Sequence, residues 1–167
     1  MPRRPPLTRL LAVLLLGVTG CTSSSPAPAP RATGPVSAPT PSATVTPAEL
    51  ATCRTLLVAL PDEIDPGVKR RTVDGDTGRF AAWGDPAVTL ECGSLPGDPG
   101  EPPAIVNGVS WTVRDIGAGF RWTTVGLLLT IAVDIPDSYN NGAELVNPLA
   151  APILATVRPG PSPAPSF

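Results

Sequence analysis

Residues 127–135 read LLLTIAVDI, and the reading of that run decides the fold. A strand buried on both faces shows near-continuous aliphatic character rather than strict alternation. The run is therefore expected to be the central strand of a sheet. Working back along the chain, Val109–Asp115 and Phe120–Val125 flank the turn Gly117-Ala118-Gly119 and read as neighbouring strands. Ala87–Cys92 alternates, with Val88 and Leu90 on one face and Thr89 and Glu91 on the other. Lys69–Val73 and Arg79–Trp83, joined across Asp74–Gly78, read as a hairpin. Gly84-Asp85-Pro86 is a turn, and residues 94–103 (SLPGDPGEPP) are a loop.

Helices are expected at both ends of this strand-rich region. Thr46 stands at an N-cap, Pro47 follows at the first helical position and Glu49 completes a T-x-x-E capping box. Leu50, Cys53, Leu57 and Leu60 then share one face, and Pro61 ends the helix. A second helix is expected over about Gly142–Val157, with Leu145, Leu149 and Ile153 at a spacing of four. Pro148 and Pro152 are expected to kink or split it. The fold class is α+β: an N-terminal helix, an antiparallel sheet of about five strands and a C-terminal helix, with the helices on one sheet face.

The domain spans residues 47–157. Ahead of it, residues 1–20 read as a signal peptide: Arg3, Arg4 and Arg9 precede the apolar run Leu10–Val18. Nine residues rise only ~14 Å as a helix, about half a bilayer core, so the run is too short to span. Arg3-Arg4 is followed by Pro5-Pro6, which departs from a twin-arginine signal. The segment Val18-Thr19-Gly20-Cys21 resembles a bacterial lipobox. That resemblance implies cleavage before Cys21, a diacylglycerol on its thiol and a further acyl chain such as palmitate on its amine. Two or three chains anchor stably where one is marginal. Residues 22–46 contain six Pro and ten Ser/Thr with one charge and read as a disordered tether, as do residues 158–167.

The 167 residues include no His, which excludes Ser-His-Asp and Cys-His nucleophile systems and His-ligated metal. Twelve basic against 14 acidic residues give a net charge of −2, so nucleic acid is not an expected partner. Loss of residues 1–20 with their three arginines leaves nine basic residues against 14 acidic, a net charge of −5. An acidic body is not held to anionic lipid by its surface, so the expected contact with the membrane is the lipid on Cys21. Arg outnumbers Lys eleven to one, a composition suggesting a GC-rich genome.

With Cys21 assigned to lipid, Cys53 and Cys92 form an even pair in an oxidising compartment, and a structural disulfide is expected. The alternative, a redox pair, lacks C-x-x-C spacing. Trp83, Trp111 and Trp122, one per strand, read as core or half-buried aromatics, with a ligand groove as the functional alternative. Asp85 reads as turn chemistry. Arg70 and Arg71 fall on opposite strand faces. With Arg79, Arg114 and Arg121 they are candidates to bind an anionic wall or lipid group, or to form ordinary surface ion pairs. The run Asp74-Gly75-Asp76-Thr77-Gly78 lacks the glycine and terminal glutamate of a calcium loop, so neither metal nor cofactor is expected.

Arg70-Arg71, Ala82-Trp83-Gly84-Asp85-Pro86, Leu90-Glu91-Cys92-Gly93, Val109-Ser110-Trp111 and Trp122-Thr123 together resemble an actinobacterial family of secreted proteins and lipoproteins, known as domain of unknown function 3515. The resemblance covers most of residues 50–157. It implies export to an actinobacterial cell envelope and carries no activity, cofactor or catalytic residue with it. The expected protein is thus a non-catalytic binding module at the extracytoplasmic face of the cell membrane, partnered by another envelope protein or a wall component. The alternative is an envelope hydrolase or transferase working through Asp or Glu carboxylates.

Overall fold

The computed structural model describes residues 34–98, 100 and 102–160. The expected signal peptide, Cys21, residues 22–33 and residues 161–167 lie outside that range. The elements in chain order are β1 (Val36–Ser37), α1 (Pro47–Ala59), β2 (Arg70–Arg71), β3 (Val73–Asp74), β4 (Phe80–Trp83), β5 (Val88–Cys92), β6 (Ala104–Val106), β7 (Val109–Asp115), β8 (Gly119–Val125), β9 (Ile131–Pro136) and α2 (Gly142–Thr156).

Seven strands form one sheet in the order β2-β4-β5-β9-β8-β7-β6, and β9 is its central strand. All its pairings are antiparallel. The aliphatic run at 127–135 thus supplies the middle of the sheet, but its first four residues leave it. Leu127 bridges to Pro159, Leu128 donates to the Arg158 carbonyl, and the Thr130 carbonyl accepts from both Gly93 and Ser94. With those groups engaged elsewhere, the ladder starts at Ile131.

Register assigns the two faces of the sheet. Ala81, Leu90, Val133, Trp122 and Val113 lie across from one another on the helix-covered face. Ala82, Thr89, Asp134, Arg121 and Arg114 line the opposite face. The core lies between the first set and the helices, which contribute buried Cys53, Leu56 and Leu57 from α1 and Leu145, Val146, Leu149, Ala150 and Ile153 from α2. The Cys53–Cys92 disulfide joins α1 to β5 across this core, closing a separation of 39 residues. In the chain-entropy account such a link stabilises by about 4 kcal/mol.

The capping box forms as read: Glu49 N–H donates to Thr46 Oγ1, and the Glu49 carboxylate accepts from Thr46 N–H at 2.7 Å. Those bonds, the backbone one first, hold the Glu49 carboxyl below the usual carboxylate range. In α2 the expected break at Pro148 and Pro152 is absent, and residues 142–156 are one helix. Interior prolines cost about 3 kcal/mol each. Five fully buried apolar side chains on α2 offset that cost through tertiary packing.

Three further expectations are corrected. The sheet has seven strands rather than about five: residues 104–106, left unassigned beyond the loop at 94–103, form the edge strand β6. The first strand of the expected hairpin also divides. Its half β2 pairs with β4, while β3 turns away to form a two-stranded parallel sheet with β1. Residues 34–46, read as tether, lie against the domain: β1 pairs with β3, and the Gly34 and Ala43 carbonyls accept from Arg71 and Arg79. At the other end, Arg158–Gly160 pair with Gly126–Leu128 and belong to the domain rather than to a tail.

Candidate functional site

The expected aromatic candidates sit in the core. Trp83 and Trp111 are fully buried on the helix-covered face. Trp122 is half-buried and meets Trp111 edge-on, with ring centres 6.4 Å apart. Trp83 Nε1 donates to the Pro61 carbonyl at 2.9 Å, whereas Trp111 Nε1 has no partner among the described residues. A ligand groove lined by the three rings is therefore not formed, because strand register turns all three toward the helices.

Arg70 and Arg71 occupy opposite faces, as alternation requires. The Arg70 guanidinium lies 4.9 Å from the centre of the Trp83 ring and donates to the Leu57 carbonyl. Burial lowers its hold on its proton, and the Asp62 charge acts in the opposite direction. Arg71 donates to the carbonyls of Gly84 and Gly34 and lies 3.9 Å from Asp85. Asp85 precedes a cis peptide bond to Pro86, whose carbonyl accepts from Tyr139 Oη. These arginines and Asp85 fasten backbone turns rather than line an open site.

The arginine that reaches deepest is Arg79. It is 5% exposed, and its guanidinium donates to the carbonyls of Cys92, Ala43 and Gly93 and to Glu91 Oε1 at 3.2 Å. Glu91 accepts in addition from the backbone N–H and hydroxyl of Ser42. A buried ion pair is tolerable only when the remaining donors and acceptors are satisfied. Here carbonyls and a serine supply them. A broad depression of about 840 Å³ lies beside this cluster, between residues 41–45, Arg54 and the turn at 75–79. Its deepest charged group, Arg79, already donates four hydrogen bonds to protein acceptors.

A second, more enclosed cleft opens on the sheet face opposite the helices. It measures about 370 Å³, within the range of small-ligand sites. Thr112 and Arg114 of β7 and Thr123 and Arg121 of β8 form its floor, and Leu95, Pro96, Gly97 and Asp98 form its wall. The register pairs Thr112 with Thr123 and Arg114 with Arg121, so the floor is two rungs of side chains, hydroxyls beside guanidiniums. The wall sits close: a Cβ on Gly97 would collide with Thr112 Oγ1 and press on Thr123. Arg121 makes a two-pronged ion pair with Asp134, at 2.6 and 2.7 Å. Those hydrogen bonds raise the proton affinity of Arg121 against the effect of burial. Arg114 is exposed and has no ion pair among the described residues. Of the arginines singled out from sequence, Arg114 and Arg121 are thus the two brought together at a cleft.

The carboxylates that could do acid–base chemistry are engaged structurally. Glu63 accepts from the Gly67 N–H, Asp65 from Asn141, Asp134 from Arg121, and Glu91 from Arg79 and Ser42. Among the described residues no three His, Cys, Asp or Glu side chains converge as metal ligands. No described helix is long and apolar enough to cross a membrane. The disulfide sulfurs belong to residues with no exposed surface, which leaves an attacking thiolate no direct access.

No curated protein and no solved structure matches the chain. A family model described as "Protein of unknown function (DUF3515)" matches residues 6–162. That match takes in nearly the whole chain, including every element of the sheet, both helices and the cleft, and the chain belongs to this family.

Proposed function

We propose that the protein is a lipid-anchored component of the cell envelope, held at the extracytoplasmic face through Cys21, and that its domain is a non-catalytic binding module. The observation that carries the binding role is the cleft over β7 and β8. It has a sheet floor, an exposed arginine with no ion pair among the described residues, and a closely packed wall, which are parts of a recognition site. Asp134 is tied to Arg121 and Asp98 is the one carboxylate among the described lining residues, so the cleft presents no carboxylate pair there, which favours recognition over acid–base catalysis. The disulfide supports an oxidising compartment and hence export. In this reading residues 22–33 are the spacer between the lipid and the packed segment that begins at Gly34.

The test is capture in the cell. A tagged chain is cross-linked in intact cells, the membranes are solubilised, and co-purifying species are identified with Cys21→Ala as control. The reading expects one envelope protein or wall component enriched with the wild type and reduced in the control. Recovery of nothing beyond background from both would contradict it.

A further inference from the structure

Residues 34–45 lie along the domain ahead of α1, yet none of them is buried and none belongs to the hydrophobic core. Hydrogen bonds spread along their length hold them in place. At the leading end Arg71 donates to the Gly34 carbonyl, while the N–H groups of Val36 and Ala38 donate to the carbonyls of Thr72 and Asp74. At the trailing end Ser42 donates twice to Glu91, and the Ala43 carbonyl accepts from Arg79. A segment with few buried apolar contacts and exposed hydrogen bonds opens at a lower free energy than a core. The seven-stranded sheet does not include this segment, so the sheet can stay intact when it opens.

Pro35, Pro39 and Pro41 fix φ at three points and stiffen the segment. A stiff segment gains little freedom when only one end lets go, which favours release of both ends together. The trailing end also reaches the cleft, because the Ser42 hydroxyl accepts at 3.0 Å from the N–H of Leu95, the first residue of the wall. We infer that residues 34–45 are a strap that docks and releases as one unit, and that its release unlatches the cleft wall at Leu95. The strap thus has two states that its two ends both bias. By linkage, a ligand that needs the wall in place favours the docked strap, and a pull on the chain ahead of Gly34 weakens that ligand. This consequence rests on the reading of the domain as a binding module, whereas the strap itself rests on the contacts alone.

The test is native-state amide hydrogen exchange of the full chain, read by NMR over a series of low urea concentrations. The amides of Val36, Ala38, Ser42 and Leu95 are expected to share one opening free energy, below that of Leu90 and Val133 in the paired strands β5 and β9. Val36→Pro removes a donor from the strap and Arg71→Met removes one from the domain, both at the end far from the wall. Each is expected to raise exchange at Leu95 about threefold to tenfold, the worth of one ordinary hydrogen bond. Ser42→Ala lacks the hydroxyl that joins strap to wall, so in its background Val36→Pro is expected to leave Leu95 unchanged. Exchange at Leu95 unmoved by both single variants, strap amides that open only together with Leu90 and Val133, or an undiminished Val36→Pro effect in the Ser42→Ala background would each overturn the strap. The readout needs no ligand, so such a result leaves the binding-module reading standing.

Discussion

Ser42 and Glu91, 49 residues apart in the chain, are joined by two hydrogen bonds, from the Ser42 backbone N–H at 2.7 Å and from its hydroxyl at 3.0 Å. The same hydroxyl accepts from Leu95 N–H, the first residue of the cleft wall. One serine therefore ties the segment entering the domain both to the buried Arg79–Glu91 pair and to the wall of the cleft. Ser42→Ala is expected to cost about 1 kcal/mol in urea unfolding, the net worth of an ordinary hydrogen bond. It should also raise amide hydrogen exchange at Leu95 and Gly97. Unchanged exchange there would mean that the wall holds its place without the serine.

Removing one member of the buried pair is a harsher change. Arg79→Met leaves Glu91 without its counter-charge, held by Ser42 alone, and three carbonyls without this donor, and is expected to cost about 3–5 kcal/mol. Glu91→Gln keeps an acceptor for Arg79 and Ser42 and is expected to cost less. Urea denaturation of the two variants side by side checks the order.

The disulfide gives a second stability prediction. Cys53→Ala with Cys92→Ala, or reduction of the wild type, is expected to lower stability by about 4 kcal/mol. Denaturation with and without reductant measures it, and the double variant should show no further response to reductant.

Much of this architecture could be read from residue order alone. The capping box at Thr46–Glu49, the buried face of α1, the turn at Gly117–Gly119 and the central position of the 127–135 run are local or periodic signals, and they hold in the structure. The edge strand β6 also had a signal in residues left unassigned between the loop at 94–103 and the strand read from Val109. Asn107-Gly108 is the strongest short-range hairpin pair, and both residues adopt positive φ between β6 and β7. Residues 34–46 offered nothing comparable. Their composition is that of a spacer, and their carbonyls at Gly34 and Ala43 do the anchoring, which any residue type supplies. The cleft was equally hidden, since it arises where residues 95–98 fold over strands that follow them in the chain. Both depend on long-range approach, which periodicity does not encode.

The two fully buried tryptophans differ in one respect that can be measured. Trp83→Phe leaves the Pro61 carbonyl without its donor, a penalty of about 1–3 kcal/mol beyond the lost volume. Trp111→Phe breaks no hydrogen bond to a described residue. Unfolding experiments are therefore expected to show Trp83→Phe as the more destabilising of the pair.

The N-cap yields a pH prediction with a definite sign. The Glu49 carboxyl titrates below its reference of 4.5 in the folded chain, so its contribution is present above that value and is lost as the pH falls through the folded pKa. Thr46→Ala keeps the backbone N–H that is the larger cause and removes the side-chain contribution, so it is expected to raise the Glu49 pKa only partway toward 4.5, read by NMR titration of its side chain. A Glu49 pKa unmoved by the substitution would remove the Thr46 side chain as a contributor and leave the backbone N–H.

The central claim, an oxidised domain working from a lipid on Cys21, is tested most directly by the intact mass of the protein extracted from its own cell membranes. The account predicts a chain beginning at Cys21, heavier by a diacylglycerol and an acyl chain and lighter by the two hydrogens of the Cys53–Cys92 bond. A chain beginning elsewhere, an unmodified Cys21, or free thiols at both remaining cysteines would contradict it.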